Sequence, residues 1–148
     1  MSIASICQRA VDTARIDETL LTCAKRMASR CVGTLVVVDD DQRPVGIITD
    51  RDLAVRGMAA GLDPNETRVA DVASMHVVTI GEHATIEAAL NTMHMDRVRR
   101  LPIVDRTGRL AGIVSFEDVL ARLARQMTEV GGLLQGTAPA RQLAASRQ

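Results

Sequence analysis

The sequence predicts a mixed α/β (α+β) protein made of two copies of one β-α-β-β-α unit, closed into a pseudo-symmetric pair. Three observations carry this. Residues 3–56 align with residues 69–122 at a constant offset of 66 without a gap, and 14 of the 54 pairs are identical. Chance at ordinary residue frequencies supplies roughly three or four such identities. Each copy also holds a segment with apolar residues at helical spacing, followed by two short apolar strand-like runs separated by a polar turn. Two copies are too few for a solenoid, so a closed pair is the arrangement that buries both apolar faces.

In chain order, each copy opens with a short segment, Ser2 to Cys7 and Val69 to Met75, and a short strand near Val11 to Ala14 and Val77 to Ile80. A helix follows, with Thr19 and Thr85 as N-caps. Its apolar stripe is Leu20, Ala24, Met27 and Cys31 in the first copy and Ile86, Leu90 and Met93 in the second. The strands LVVVD and VGIIT flank the turn DDQR, and LPIVD and AGIVS flank RTGR. Pro102 marks either an edge strand or a position that needs no ladder bond. A last helix is expected from Thr49 to about Met58 and from Ser115 to about Met127. The chain thus divides into repeat 1 (1–60), a connection (61–68), repeat 2 (69–127) and a tail (128–148), whose stretch from Gly131 on has no clear apolar period.

Composition narrows the function. A chain of 148 residues with 47% hydrophobic and 24% charged residues builds an ordinary globular core. Eighteen basic and 18 acidic residues cancel, which argues against nucleic acid or an anionic membrane as partner. Phe116 is the single aromatic residue, so bases cannot be stacked on aromatic platforms and an adenine ring would have to lie between aliphatic side chains. Three cysteines without metal-ligand spacing, and an N-terminus without signal-peptide character, point to a reducing cytoplasm. His76, His83 and His94 form no metal pattern, and no paired nucleophile and base, phosphate-loop consensus or zinc-protease motif is present, so no catalytic activity and no required cofactor are expected.

The most distinctive stretches are GIITDRD at Gly46 to Asp52 and GIVSFED at Gly112 to Asp118. Thr49 with Asp52, and Ser115 with Asp118, have the spacing of a capping box. The box favours Glu or Gln at the third position, so two aspartates there leave carboxylate capacity for another partner. Gly46 and Gly112 inside strands signal a close backbone approach, to a ligand or to the opposite repeat, with packing the favoured reading. The copies are chemically unequal: Arg51 is matched by Glu117, Asp50 by Phe116, and Gly33 and Thr34 by Arg99 and Arg100. Because successive strand residues point to opposite faces, at most one of Arg99 and Arg100 should enter a given cleft.

Taken together, GTLVVVDDDQRPVGIITDRDL, VVTI, TIEAALNTM and VRRLPIVDRTGRLAGIVSFEDVL resemble the cystathionine-β-synthase (CBS) domain family, in its tandem form called a Bateman module, over residues 2 to about 127. The resemblance implies two small sheets packed about a pseudo-twofold axis, with two clefts between them. It implies an adenine-containing ligand there: AMP, ADP, ATP or S-adenosylmethionine. Asp52 and Asp118 would then meet ribose, and Thr49, Ser115, Arg51, Arg99 and Arg100 would meet phosphate. Thr13, Val36, Val37, Thr79, Pro102 and Ile103 match positions that flank adenine in the family, although all serve equally as core, which is the favoured reading for the apolar four. The expected role is a stand-alone regulatory module that signals through an unknown protein partner. The alternative is a ligand-free dimerisation module, since the family commonly pairs its modules through their helices into a homodimer.

Overall fold

The computed structural model describes residues 2–136. Two three-stranded sheets form, one per repeat, with orders β1-β2-β3 and β4-β5-β6. The elements are β1 (Thr13–Ala14), α1 (Leu20–Arg30), β2 (Thr34–Val38), β3 (Pro44–Thr49), α2 (Asp50–Asp52), a π-helical turn (Leu53–Met58), α3 (Val69–Val72), β4 (Ile80–Gly81), α4 (Ile86–Asp96), β5 (Arg100–Val104), β6 (Leu110–Ser115) and α5 (Phe116–Gly136). In each sheet the first strand is parallel to the second, and the second and third form an antiparallel hairpin.

The duplication reappears in the small devices that start and stop each element. Thr19 Oγ1 accepts from the Thr22 amide and Thr85 Oγ1 from the Ala88 amide, capping α1 and α4. Both helices end on a left-handed residue, Cys31 and Arg97, each at φ 54°. The Asp39 carboxylate accepts from the amides of Asp41 and Arg43, and that of Asp105 from the amides of Thr107 and Arg109, which sets the two hairpin turns. The stripes facing the core are Leu20, Cys23 and Met27 on α1 and Ile86, Ala89 and Met93 on α4. Cys31 therefore leaves the expected stripe, because the αL cap turns it outward to solvent.

Pro102 sits in the middle strand β5, fully buried. Its counterpart Val36 donates to the carbonyl of Asp12, the residue just before β1, at 3.1 Å. Proline has no such hydrogen. Pairing in the second sheet accordingly begins one residue later, at Ile80 with Ile103, where the first sheet begins at Thr13 with Val36.

The opening segments are exchanged. Ile3 lies in the core of the second lobe with Ile86, Leu101, Ile103 and Val114, while Val69 and Val72 lie in the core of the first with Leu20, Leu35, Val37 and Ile48. Gln8 exchanges backbone hydrogen bonds with Ile113 at 2.9 and 3.0 Å, and Ser74 does the same with Ile47 at 2.9 Å each way. These contacts explain the strand glycines. A Cβ on Gly46 would lie 2.8 Å from the Ser74 carbonyl oxygen, and one on Gly112 would lie 3.0 Å from that of Gln8. The close approach is to the opposite repeat, as expected from packing.

The last helices differ most. The first ends in the π-turn, after which the chain turns at Gly61 with φ 71°. The second runs for 21 residues to Gly136, well past the expected end near Met127. Gly131 and Gly132 look like a stop but do not act as one, because neither takes the left-handed conformation that ends a helix. Residues 137–148 of the expected tail lie outside the described residues.

Replacing Gly46 by Ala is expected to destabilise the fold by about 1–3 kcal/mol, since its Cβ meets backbone that can yield only by opening the seam. Gly131→Ala, with nothing within 4 Å of the added Cβ, is expected to stabilise by about 0.5–1 kcal/mol. Urea titrations of both variants test the pair. Burial first, then the negative Glu18, pushes the Cys23 thiol up to about 11 from an ordinary 9.0. The unfolded chain thus loses this proton before the folded chain does. Stability should fall as pH rises from 9 towards 11, and Cys23→Ala should flatten that slope in denaturant titrations.

Candidate ligand-binding clefts

Two clefts lie where one repeat's opening segment meets the other repeat's hairpin. The first, of about 260 Å³, contains Thr49, Asp52 and Ile47 together with Ser74, Val77 and Val98. The second, of about 350 Å³, contains Ser115, Asp118 and Ile113 together with Gln8, Val11 and Val32. Each of these residues differs from its counterpart by the same 66 positions. Thr34 and Arg100, themselves counterparts, line both clefts.

At the floor of each cleft the capping box is complete. Asp52 Oδ2 accepts from the Thr49 amide and hydroxyl at 2.9 Å each, and Thr49 Oγ1 accepts from the Asp52 amide at 3.2 Å. Asp118 Oδ2 accepts from the Ser115 amide at 2.8 Å and hydroxyl at 2.6 Å, and Ser115 Oγ accepts from the Asp118 amide at 3.1 Å. Aspartate thus reaches back as well as a longer acid would, and only one oxygen is spent on doing so. The other oxygen is lightly engaged. Asp118 Oδ1 receives a long 3.4 Å hydrogen bond from Gln8 Nε2, and Asp52 Oδ1 faces Arg56 Nη1 at 3.9 Å. Each box therefore closes its helix start with one carboxylate oxygen and leaves the other outside the box, on a residue that lines the cleft.

The remaining expected residues are distributed unevenly. Arg99 and Arg100 both line the Asp52 cleft, although adjacent on the chain, because Arg99 precedes β5 and is not held to its alternation. Arg51 lines neither cleft; its amide bonds to Asp50 Oδ1 at 2.8 Å and its side chain is exposed. Thr13 lines a separate depression beside Arg15 and Arg26. Val36, Val37, Pro102 and Ile103 are fully buried, and Thr79 is half-buried, lining neither cleft. The apolar walls come instead from neighbours such as Val11, Val77 and Val78.

Sequence reasoning missed Asp12, Gln8, Ser74 and His76, all of which line a cleft. Their signal was the duplication itself, since 8 pairs with 74 and 10 with 76. What remained hidden was that the opening segments cross to the other lobe. Electrostatics separate the two clefts. The Asp118 cleft gathers Asp12, Glu117 and Asp118 around Arg100, whereas the Asp52 cleft gathers Arg99, Arg100 and His76 around Asp52. Arg99 joins them: its Nη2 donates to Glu117 Oε1 at 2.5 Å and its guanidinium lies 5.7 Å from the Phe116 ring centre. A hydrogen bond from its own backbone amide, followed by Arg99 and Arg100, holds the Glu117 carboxyl below its ordinary range. Where repeat 2 has Arg99 over Phe116, repeat 1 has Gly33 against Asp50, with only 2.8 Å between a Gly33 Cβ and Asp50 Oδ2.

Among the described residues no helix is long and apolar enough to cross a membrane, and no three His, Cys, Asp or Glu side chains converge on a point fit for a metal. Comparison with known proteins is consistent across sequence and structure. An uncharacterised protein of Methanopyrus kandleri, MK0525, is 36% identical over 120 residues, which is 81% of this chain but only 61% of that protein. Hypoxic response protein 1 of Mycobacterium tuberculosis is 38% identical over 106 residues, covering 72% of this chain and 73% of its own length. The crystal structure of that protein with two coordinated zinc ions superposes with a TM-score of 0.74 at 34% identity, over 82% of this chain and 98% of that one. The CBS domain pair of protein MJ0100, in complex with 5′-methylthioadenosine and S-adenosyl-L-methionine, superposes with a TM-score of 0.72 at 26% identity, over 83% and 98%. The family model of the CBS domain matches twice, over residues 3–57 and 69–125, and the chain belongs to the CBS domain family as a tandem pair.

Proposed function

We propose that the protein is a regulatory module that binds an adenine-containing nucleotide in its inter-repeat clefts, signals occupancy to a protein partner and catalyses no reaction itself. The observation that carries this reading is the second carboxylate oxygen of Asp52 and Asp118, weakly held and not used by the closed capping box, on residues that line each cleft. Such an acceptor suits a vicinal diol, as in ribose, and the valines around it suit the flat face of a purine. The adenosyl ligands named for the MJ0100 pair support the same class of ligand. Because the opening segments tie the repeats together across these clefts, a ligand favouring one arrangement of the repeats shifts their packing by its differential affinity.

Calorimetry with AMP, ADP, ATP and S-adenosylmethionine tests the proposal, and absence of binding at millimolar concentration by folded protein would overturn it. Asp52→Asn and Asp118→Asn separate binding from capping. An amide oxygen still closes the box while its nitrogen replaces the spare acceptor, so affinity should fall about tenfold, equivalent to about 1.4 kcal/mol, with little change in melting. Asp→Ala at either position should also cost about 0.5–2 kcal/mol of stability through the lost cap.

Self-association is a second reading, favoured by α5. Phe116, Leu120, Leu123, Met127 and Val130 follow one another at spacings of 4, 3, 4 and 3, and the last four are exposed at 48%, 41%, 76% and 56%. That is the seam of a paired helix left open to water. Repeat 1 offers an apolar groove of about 510 Å³, walled by Leu20, Leu21, Leu53 and Met58. Sedimentation at several concentrations should show a homodimer that Leu123→Asp with Met127→Asp converts to monomer. A wild-type chain monomeric throughout would exclude this reading.

A further inference from the structure

The adenine-ligand reading leaves open which ligand enters which cleft, and the asymmetry of charge across the duplication addresses that choice. We propose that the two clefts are partitioned by charge: the Asp52 cleft takes a phosphate-bearing nucleotide, and the Asp118 cleft takes an adenosyl compound with no net negative charge, preferably a cationic one. This inference rests on that reading and deepens it.

The Asp52 cleft presents Arg99, Arg100 and His76 against one carboxylate. In the Asp118 cleft the position equivalent to Arg99 is Gly33, and Asp12, Glu117 and Asp118 line it with Arg100, the one guanidinium it shares with its neighbour. A phosphate there would meet three carboxylates, while a sulfonium or ammonium group would be attracted to them. Asp12 is engaged by Arg30, whose Nε donates to its Oδ1 at 2.8 Å, and Glu117 by Arg99 at 2.5 Å, so Asp118 discriminates first and Glu117 joins it once Arg99 is drawn away.

The same residues couple the clefts. Arg100 lines both, and Arg99 lines the Asp52 cleft while donating to Glu117 of the other. That ion pair is exposed, with side chains 68% and 52% accessible, so it exchanges readily for a stronger partner. Phosphate bound in the Asp52 cleft draws both arginines toward itself and leaves Glu117 uncompensated. The Asp118 cleft then binds a second anion less well and a cation better. By linkage, a cation in the Asp118 cleft raises affinity for phosphate in the other.

Isothermal titration of the full chain with ATP and with S-adenosylmethionine, alone and each in the presence of saturating amounts of the other, tests the partition. The expected result is one ATP per chain, one S-adenosylmethionine per chain, and a several-fold gain in affinity for each when the other is bound. Glu117→Gln should admit a second ATP and weaken S-adenosylmethionine several-fold, and Arg100→Ala should weaken ATP at least tenfold while melting stays at the wild-type value. Two equivalent ATP sites in the wild-type chain, or simple competition between the two ligands for one site, would overturn the partition and leave the adenine-ligand reading standing. Absence of binding by either ligand would overturn both.

Discussion

Everything in this molecule depends on the exchange of two short segments across its pseudo-twofold axis. Gln8 pairs with Ile113 and Ser74 with Ile47 through reciprocal backbone hydrogen bonds, and Ile3 and Val69 are buried in the lobe opposite their own repeat. Neither lobe completes its core alone. The exchange is possible only because Gly46 and Gly112 let backbone approach backbone to a distance that a Cβ would block. The clefts form along the same seam, so the contact that holds the lobes together also gives each cleft one wall from each repeat.

The backbone keeps the symmetry of the duplication to a fine level. Caps, left-handed helix ends, hairpin turns and bridges recur at the offset of 66, and the two hairpins touch where the Leu110 amide donates to the Gln42 carbonyl at 2.8 Å. Side chains break it. Gly33 against Asp50 in one copy becomes Arg99 over Phe116 in the other, which gives one cleft a second guanidinium and leaves its twin with Arg100 alone. A duplicated scaffold with unequal linings is a way for one small chain to distinguish two ligands of related shape.

The helix ends break the symmetry in a second way. Gly57 packs under Leu20, with only 3.1 Å between an added Cβ and Leu20 Cδ1, where the π-turn brings the first repeat's last helix to its end. The equivalent position in α5 is Leu123, which cannot pack so closely, and the helix continues outward with an apolar seam facing solvent. One duplicated element has thereby become a short turn packed on α1 through Gly57, and the other a long helix with an exposed apolar face.

From the residues alone, the repeat, the order of its elements, the Thr19 and Thr85 caps, the packing role of the strand glycines and the Asp capping boxes were all legible, because each rests on interactions within a few residues or on the fixed offset. The sequence also determined that the clefts would be unequal, since Gly33 and Thr34 stand where the other copy has Arg99 and Arg100. Tertiary structure decided which residues meet. Val36 and Ile103, whose positions allow either a cleft wall or core, lie in the interior, because a middle strand under a helix has both faces covered. Asp12, Gln8 and His76 reach the clefts only because the opening segments cross to the far lobe, a choice between near-identical docking sites that no local pattern encodes. Periodicity and capping are local and repeat with the sequence; the partition of charge between two clefts is a property of residues brought together from opposite repeats.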